Sequence, residues 1–91
     1  MKKELFVITG CDSGIGKACA EILLRNGKEI AVSYLEINHF KSEPRCHAYK
    51  TDLTKENDIE KFAVSINKLC YQEFSLSCLF TNAGVALGGP V

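Results

Sequence analysis

The sequence has no excess of either charge: 11 Lys and Arg face 11 Asp and Glu over 91 residues, for a formal net charge of zero. That balance argues against the cationic surplus with which nucleic-acid-binding chains neutralise phosphates. With 46% hydrophobic residues, it also excludes the composition of a disordered chain. Long apolar runs are missing too. The stretches Leu5 to Ile8 and Ile22 to Leu24 fall far short of the roughly 20 residues that cross a bilayer. Met1-Lys2-Lys3 could open a secretory leader, but Glu4 interrupts it and Thr9-Gly10-Cys11-Asp12 ends the apolar stretch early, so an unexported chain is expected. The five cysteines, an odd number, contain no Cys-x-x-Cys pair. They are expected to be reduced, mostly buried thiols in the cytoplasm. Cys46, His47 and His39 could form a zinc site only if adjacent residues reached one metal, a spacing that tetrahedral sites disfavour. No metal is therefore expected. Internal repeats, low-complexity tracts and linkers are absent as well, and the length allows one small domain.

What is present alternates between two patterns. Glu4-Leu-Phe-Val-Ile-Thr9 is a short β-branched apolar run ended by Gly10, the signature of a strand buried on both faces of a parallel sheet. After the glycine-rich stretch Gly10 to Gly16, apolar residues at Ile15, Ala18, Cys19, Ile22 and Leu23 keep the spacing of one helix face, until Asn26-Gly27 supplies a left-handed stop. Ile30 to Leu35 is a second buried strand, and Glu36 to Pro44 is a polar loop. Cys46 to Thr51 is a third strand. A second helix is expected from an N-cap at Thr54, with Glu56 and Asp58 in its first turn and an apolar face through Ile59, Phe62, Ala63, Ile66, Leu69 and Cys70, extending towards Phe74. Leu76 to Thr81 is the fourth strand, broken by Asn82-Ala83-Gly84. This alternation predicts an α/β fold with a parallel sheet and helices on both faces. With the first strand central, the strand order is three-two-one-four, half of a doubly wound dinucleotide-binding fold.

Thr9-Gly10-Cys11-Asp12-Ser13-Gly14-Ile15-Gly16 stands where the first strand becomes the first helix. There Gly10 permits a sharp turn, Gly14 removes a side chain where backbone approaches a pyrophosphate, and Gly16 lets helix pack on strand. The amides of Ser13, Gly14 and Ile15 then point at an anion, with the helix dipole behind them. Three glycines could also simply make a turn, but the flanking strand and helix favour the nucleotide. A phosphate-loop NTPase is disfavoured, because Gly16-Lys17 is followed by Ala18 where a magnesium-binding hydroxyl belongs.

Thr9-Gly10-x-x-x-Gly14-x-Gly16, Asp52-Leu53 after the third strand and Asn82-Ala83-Gly84 after the fourth resemble the successive N-terminal motifs of the short-chain dehydrogenase/reductase family, and the resemblance covers essentially the whole chain. It implies a Rossmann fold and NAD or NADP as cofactor. By that resemblance Thr9 and the segment from Gly10 to Gly16, including Ser13, Gly14 and Ile15, would cradle the pyrophosphate. Asp52 would accept a hydrogen bond from the adenine amino group with Leu53 beside the ring, and Asn82, Ala83 and Gly84 would line the ribose side. Asp52 could equally cap the second helix. Tyr34 stands where an NAD-binding member usually places Asp, and Leu35 follows where an NADP-binding member usually places Arg. Glu36 could reach the adenosine ribose hydroxyls. Without a cation there a 2′-phosphate is poorly neutralised, which favours NAD.

Family members transfer hydride between the nicotinamide and a carbonyl or alcohol, using a Tyr, a Lys four residues later and a Ser. Four beyond Tyr34, Tyr49 and Tyr71 stand Asn38, Leu53 and Ser75. The sequence therefore holds no Tyr-x-x-x-Lys, and no catalytic residue is assigned. The expectation is a partial NAD(P)-binding Rossmann domain over residues 1–91, the N-terminal half of such an oxidoreductase and inactive alone. The alternative is a noncatalytic nucleotide-binding or interaction module that self-associates or pairs with another chain through the exposed edge of strand four.

Overall fold

A computed structural model describes residues 2–11 and 14–80. Six elements follow one another: β1 (Lys3–Ile8), α1 (Gly14–Arg25), β2 (Glu29–Tyr34), β3 (Cys46–Lys50), α2 (Glu56–Gln72) and β4 (Phe74–Phe80). The described strands form one parallel sheet in the order β3-β2-β1-β4. That is the expected arrangement. The chain moves outward from β1 to β3, then returns across α2 to the other side of β1.

The pleat sends alternate side chains to the two faces, and each face has its own core. Ile8, Ile30 and Val32 meet Ala20 and Leu24 of α1, while Leu5, Val7 and Ala31 meet Phe62 of α2 and Phe74. The loop between β2 and β3 contributes to the first core. Phe40 is buried there, its amide donating to Asn38 Oδ1 at 2.9 Å, so a residue in a segment expected to be merely polar covers the sheet.

α1 stops as its sequence dictates. Gly27 has φ 78, its amide donates to Leu24 O, and the Lys28 amide donates to Leu23 O. This is the Schellman pair, which needs a residue that tolerates the left-handed region.

Four local expectations fail. α1 buries Gly16, Ala20 and Leu24, leaving Ile15 and Ile22 exposed, because the helix has a second apolar stripe with smaller residues that approaches the sheet more closely. Thr54 does not cap α2. Its amide and hydroxyl both donate to Asp52 Oδ1, at 3.0 and 2.6 Å, and Lys55 becomes the N-cap with no side-chain cap bond. Phe74 begins β4 instead of ending α2, since it pairs with Lys3 and buries its ring. The thiols are free but not mostly buried: Cys11 is buried, Cys19, Cys46 and Cys70 are half-buried, and Cys78 is exposed. Burial, aided by Glu43, pushes the Cys46 thiol up to about 12. No helix among the described residues is long and apolar enough to cross a membrane.

Candidate nucleotide site at the carboxyl edge of the sheet

Parallel strands end together, so β1, β2 and β3 deliver the segments that follow them to one edge. Hydrogen bonds fix these ends side by side. Thr9 N donates to Phe80 O at 3.0 Å, Cys11 N to Ser33 O at 2.9 Å, and Thr51 N to Tyr34 O at 2.8 Å. β1 lies between β2 and β4, so the chain leaves it to one side and later returns on the other. Such a switch point opens a crevice outside the strand ends, where open α/β sheets bind ligands.

The turn after β1 is tied down from beneath. Gly10, at φ 70, donates its amide to Ser33 Oγ at 3.0 Å. Ser33 is fully buried, so its hydroxyl and carbonyl hold two successive residues of the turn. The Cys11 thiol, also buried, lies 3.7 Å from both Ile8 O and Gly16 O. It stitches the end of β1 to the start of α1. Neither role follows from the glycine pattern, although Ser33 stands out as the one serine in the apolar run of β2.

Gly14 begins α1 at φ +66, and among the described residues a Cβ built on it would meet nothing within 4 Å. Ile15 is 65% exposed beside it, whereas Gly16 is buried against the sheet side of α1 and Thr9 is buried at the strand end. The first turn of α1 carries no acidic side chain, so nothing in it offsets the positive end of the helix dipole. Ser13 lies outside the described residues.

The neighbouring strand ends add polar groups. Tyr34 is half-buried at the end of β2, and Glu36 is exposed in the loop beyond it. After β3, Asp52 and Leu53 are half-buried. Asp52 organises its own loop, because Thr54 donates twice to Oδ1, while Asp58 Oδ2 accepts the Asp52 amide at 2.9 Å. The Thr54 hydroxyl, then its amide, hold the Asp52 carboxyl below its ordinary range. Asp58, expected only to complement the helix dipole, is thus a ligand of the loop. Thr9, Gly10, Gly14, Ile15, Gly16, Tyr34, Glu36, Asp52 and Leu53 all lie along the carboxyl edge. Asn82, Ala83 and Gly84 lie outside the described residues.

Comparison with known proteins points the same way. The profile of the short chain dehydrogenases matches residues 4–91. An NAD-dependent glycerol dehydrogenase of Listeria innocua is 35% identical over 92% of this chain and 34% of its own length. An uncharacterised oxidoreductase of Bacillus subtilis is 27% identical over 93% of the chain and 33% of its own length. A 3-amino-tetrahydro-pyrrolizinone reductase of Xenorhabdus hominickii is 28% identical over the whole chain and 32% of its own length. The chain thus spans about a third of the length of these relatives. No solved structure matches it significantly.

Proposed function

The chain belongs to the short chain dehydrogenase family, whose members use nicotinamide dinucleotides, and we propose that the turn after β1 holds the pyrophosphate of that cofactor. The observation that carries this reading is Gly14, which opens α1 at positive φ with no Cβ neighbour among the described residues and no acidic side chain in the first turn of the helix. A diphosphate needs backbone amides at close range and no Cβ in the way. Thr9, Gly10, Ser13, Ile15 and Gly16 complete the cradle. Tyr34 and Glu36 take the adenosine ribose. Asp52 keeps Oδ2 for the adenine amino group while Oδ1 serves Thr54, so the capping and cofactor roles share one carboxylate. Leu53 flanks the ring, and Asn82, Ala83 and Gly84 line the ribose side.

NAD is the cofactor that this charge pattern favours. From Leu35 to Phe40 the sequence carries Glu36 and neither Lys nor Arg, so a 2′-phosphate would meet a carboxylate without a compensating cation. The similarity to an NAD-dependent glycerol dehydrogenase supports the same choice. The bound cofactor would supply hydride exchange with a carbonyl or alcohol. A tyrosine near its ordinary pKa of about 10 is a poor base at neutral pH without a nearby ammonium, and these 91 residues hold no Tyr-x-x-x-Lys. The chain is accordingly the cytoplasmic nucleotide-binding part of an oxidoreductase and carries out no turnover alone.

One observation favours the second reading. Leu76 and Leu79, at 49% and 57% exposure, stand on β4, the edge strand among the described residues. A row of unpaired backbone groups with uncharged side chains templates pairing with another strand, which suits a noncatalytic module that associates through this edge.

Calorimetric titration of the chain with NAD and NADP tests the proposal. NAD is expected to bind more tightly than NADP, and Gly14→Val to abolish binding while far-UV circular dichroism stays unchanged. Unaltered affinity in that folded variant would remove the pyrophosphate from this turn.

A further inference from the structure

A cavity lies away from the glycine-rich turn, between β3, an edge strand among the described residues, and the flank of α2 that carries Phe62. Its volume is about 260 Å³, just under the range of small-molecule sites. Tyr49 and Phe62 make the floor, edge to face with ring centroids 5.9 Å apart. Lys50 and Lys61 stand at the wall from opposite sides, one on the strand and one on the helix. Neither lysine enters an ion pair among the described residues. The single carboxylate in the lining, Asp58, accepts the Asp52 amide, so two cations against one anion leave the cavity with one positive charge in excess.

The hydroxyls present choose between ligand charges. Thr51 Oγ1 donates to Tyr49 O at 3.3 Å and Ser65 Oγ donates to Lys61 O at 2.9 Å, so both donors are spent on backbone carbonyls. The side-chain donors left for a ligand are the two ammonium groups and the Tyr49 phenol, which burial keeps protonated by raising its pKa. Donors over an aromatic floor suit a flat ring that carries an anion. A phosphate alone would leave the floor empty, and a neutral ring would leave the lysines unused.

We propose that the cavity between β3 and α2 binds a small aromatic carboxylate, its ring on Tyr49 and Phe62 and its carboxylate between Lys50 and Lys61. The site shares no residue with the turn after β1 and meets the adenine end of the cofactor edge only through the Asp58 carboxylate that holds the Asp52 amide.

The probe is benzoate, followed by ¹H–¹⁵N NMR of the full chain, with benzyl alcohol and inorganic phosphate as the uncharged and ringless counterparts. Benzoate should shift amides from Ala48 to Thr51 and from Asp58 to Ser65 in a saturable way, and neither counterpart should match it. The double variant Lys50→Gln, Lys61→Gln should weaken benzoate by about fivefold or more, the scale of charge-assisted contacts at a partly exposed site. Both lysines are exposed, so the variant keeps its dispersed spectrum. Absence of saturable shifts, shifts centred on Gly14 to Lys17, equal binding of benzyl alcohol or phosphate, or unchanged affinity in the double variant would each overturn the assignment. Pyrophosphate binding at the turn is unaffected by any of these results, so the two proposals fail separately.

Discussion

β1 and β4 are neighbours with similar apolar sequences, Leu-Phe-Val-Ile in one and Leu-Ser-Cys-Leu-Phe in the other, yet they live in different surroundings. Leu5, Val7 and Ile8 of β1 are each no more than 2% exposed, whereas Leu76 and Leu79 of β4 are half exposed. Pairing explains part of this. Among the described residues β1 has a strand on both sides and β4 has β1 alone. The register explains the rest. Leu5 pairs with Leu76 and Phe6 with Cys78, so Ser77 is an extra residue, and Leu76 and Leu79 both fall on the α2 face, opposite Leu5 and Val7. α2 covers that face over Leu5, Val7, Ala31 and the first residue of β4, Phe74, and leaves most of the rest of β4 exposed. Position in the sheet, more than composition, decides which apolar strand is core.

The largest break in this comparison comes from deleting core volume. Ile30→Ala should destabilise the chain by about 2–5 kcal/mol, against no more than about 0.5 kcal/mol for Leu79→Ala on the exposed edge, both read from urea unfolding. Next comes the support of the turn. Ser33→Ala removes the hydroxyl that accepts from the half-buried Gly10 amide and should cost about 1–3 kcal/mol, with NAD affinity falling alongside in calorimetry. Hydrogen exchange sharpens the contrast between the strands themselves. Amides of β4 should exchange about tenfold faster than those of Phe6 to Ile8, a local difference of ~1.4 kcal/mol. Sedimentation across a dilution series should show association that depends on concentration. The smallest effect belongs to Asp52. Its folded pKa lies below its unfolded one, so the stabilisation from Thr54 is fully present above the unfolded value and lost as pH falls through the folded one. Asp52→Asn should flatten that acid limb of the stability curve by lowering stability slightly at neutral pH, towards the level the unmodified chain reaches in acid.

The strand order was legible because alternating strands and helices with right-handed crossovers leave few arrangements open, and because Asn26-Gly27 could only end a helix. Other features were set by tertiary contacts. Both stripes of α1 fit a helix period, and only the approach of the sheet selects Ala20 and Leu24 over Ile15 and Ile22. Phe74 continues the spacing of Ile66 and Cys70 equally well, and its pairing with Lys3 decides the matter. In the site, the glycines declared themselves by position. Ser33 acts through a contact across the fold with Gly10, while Cys11 and Asp58 reach Gly16 and Asp52 within their own turns, five and six residues away, at spacings that helix and strand periods do not mark.

The central claim is that the carboxyl edge of the sheet, through the turn after β1, receives a nicotinamide dinucleotide. NMR titration of the ¹⁵N-labelled chain with NAD tests it most directly. The expected result is a saturable set of shifts at Thr9 to Lys17, Tyr34 to Glu36 and Asp52 to Leu53, with β3 residues Cys46 to Ala48 unmoved. Saturable shifts that spare Thr9 to Lys17, or no shifts at millimolar NAD in a chain with a dispersed spectrum, would contradict it.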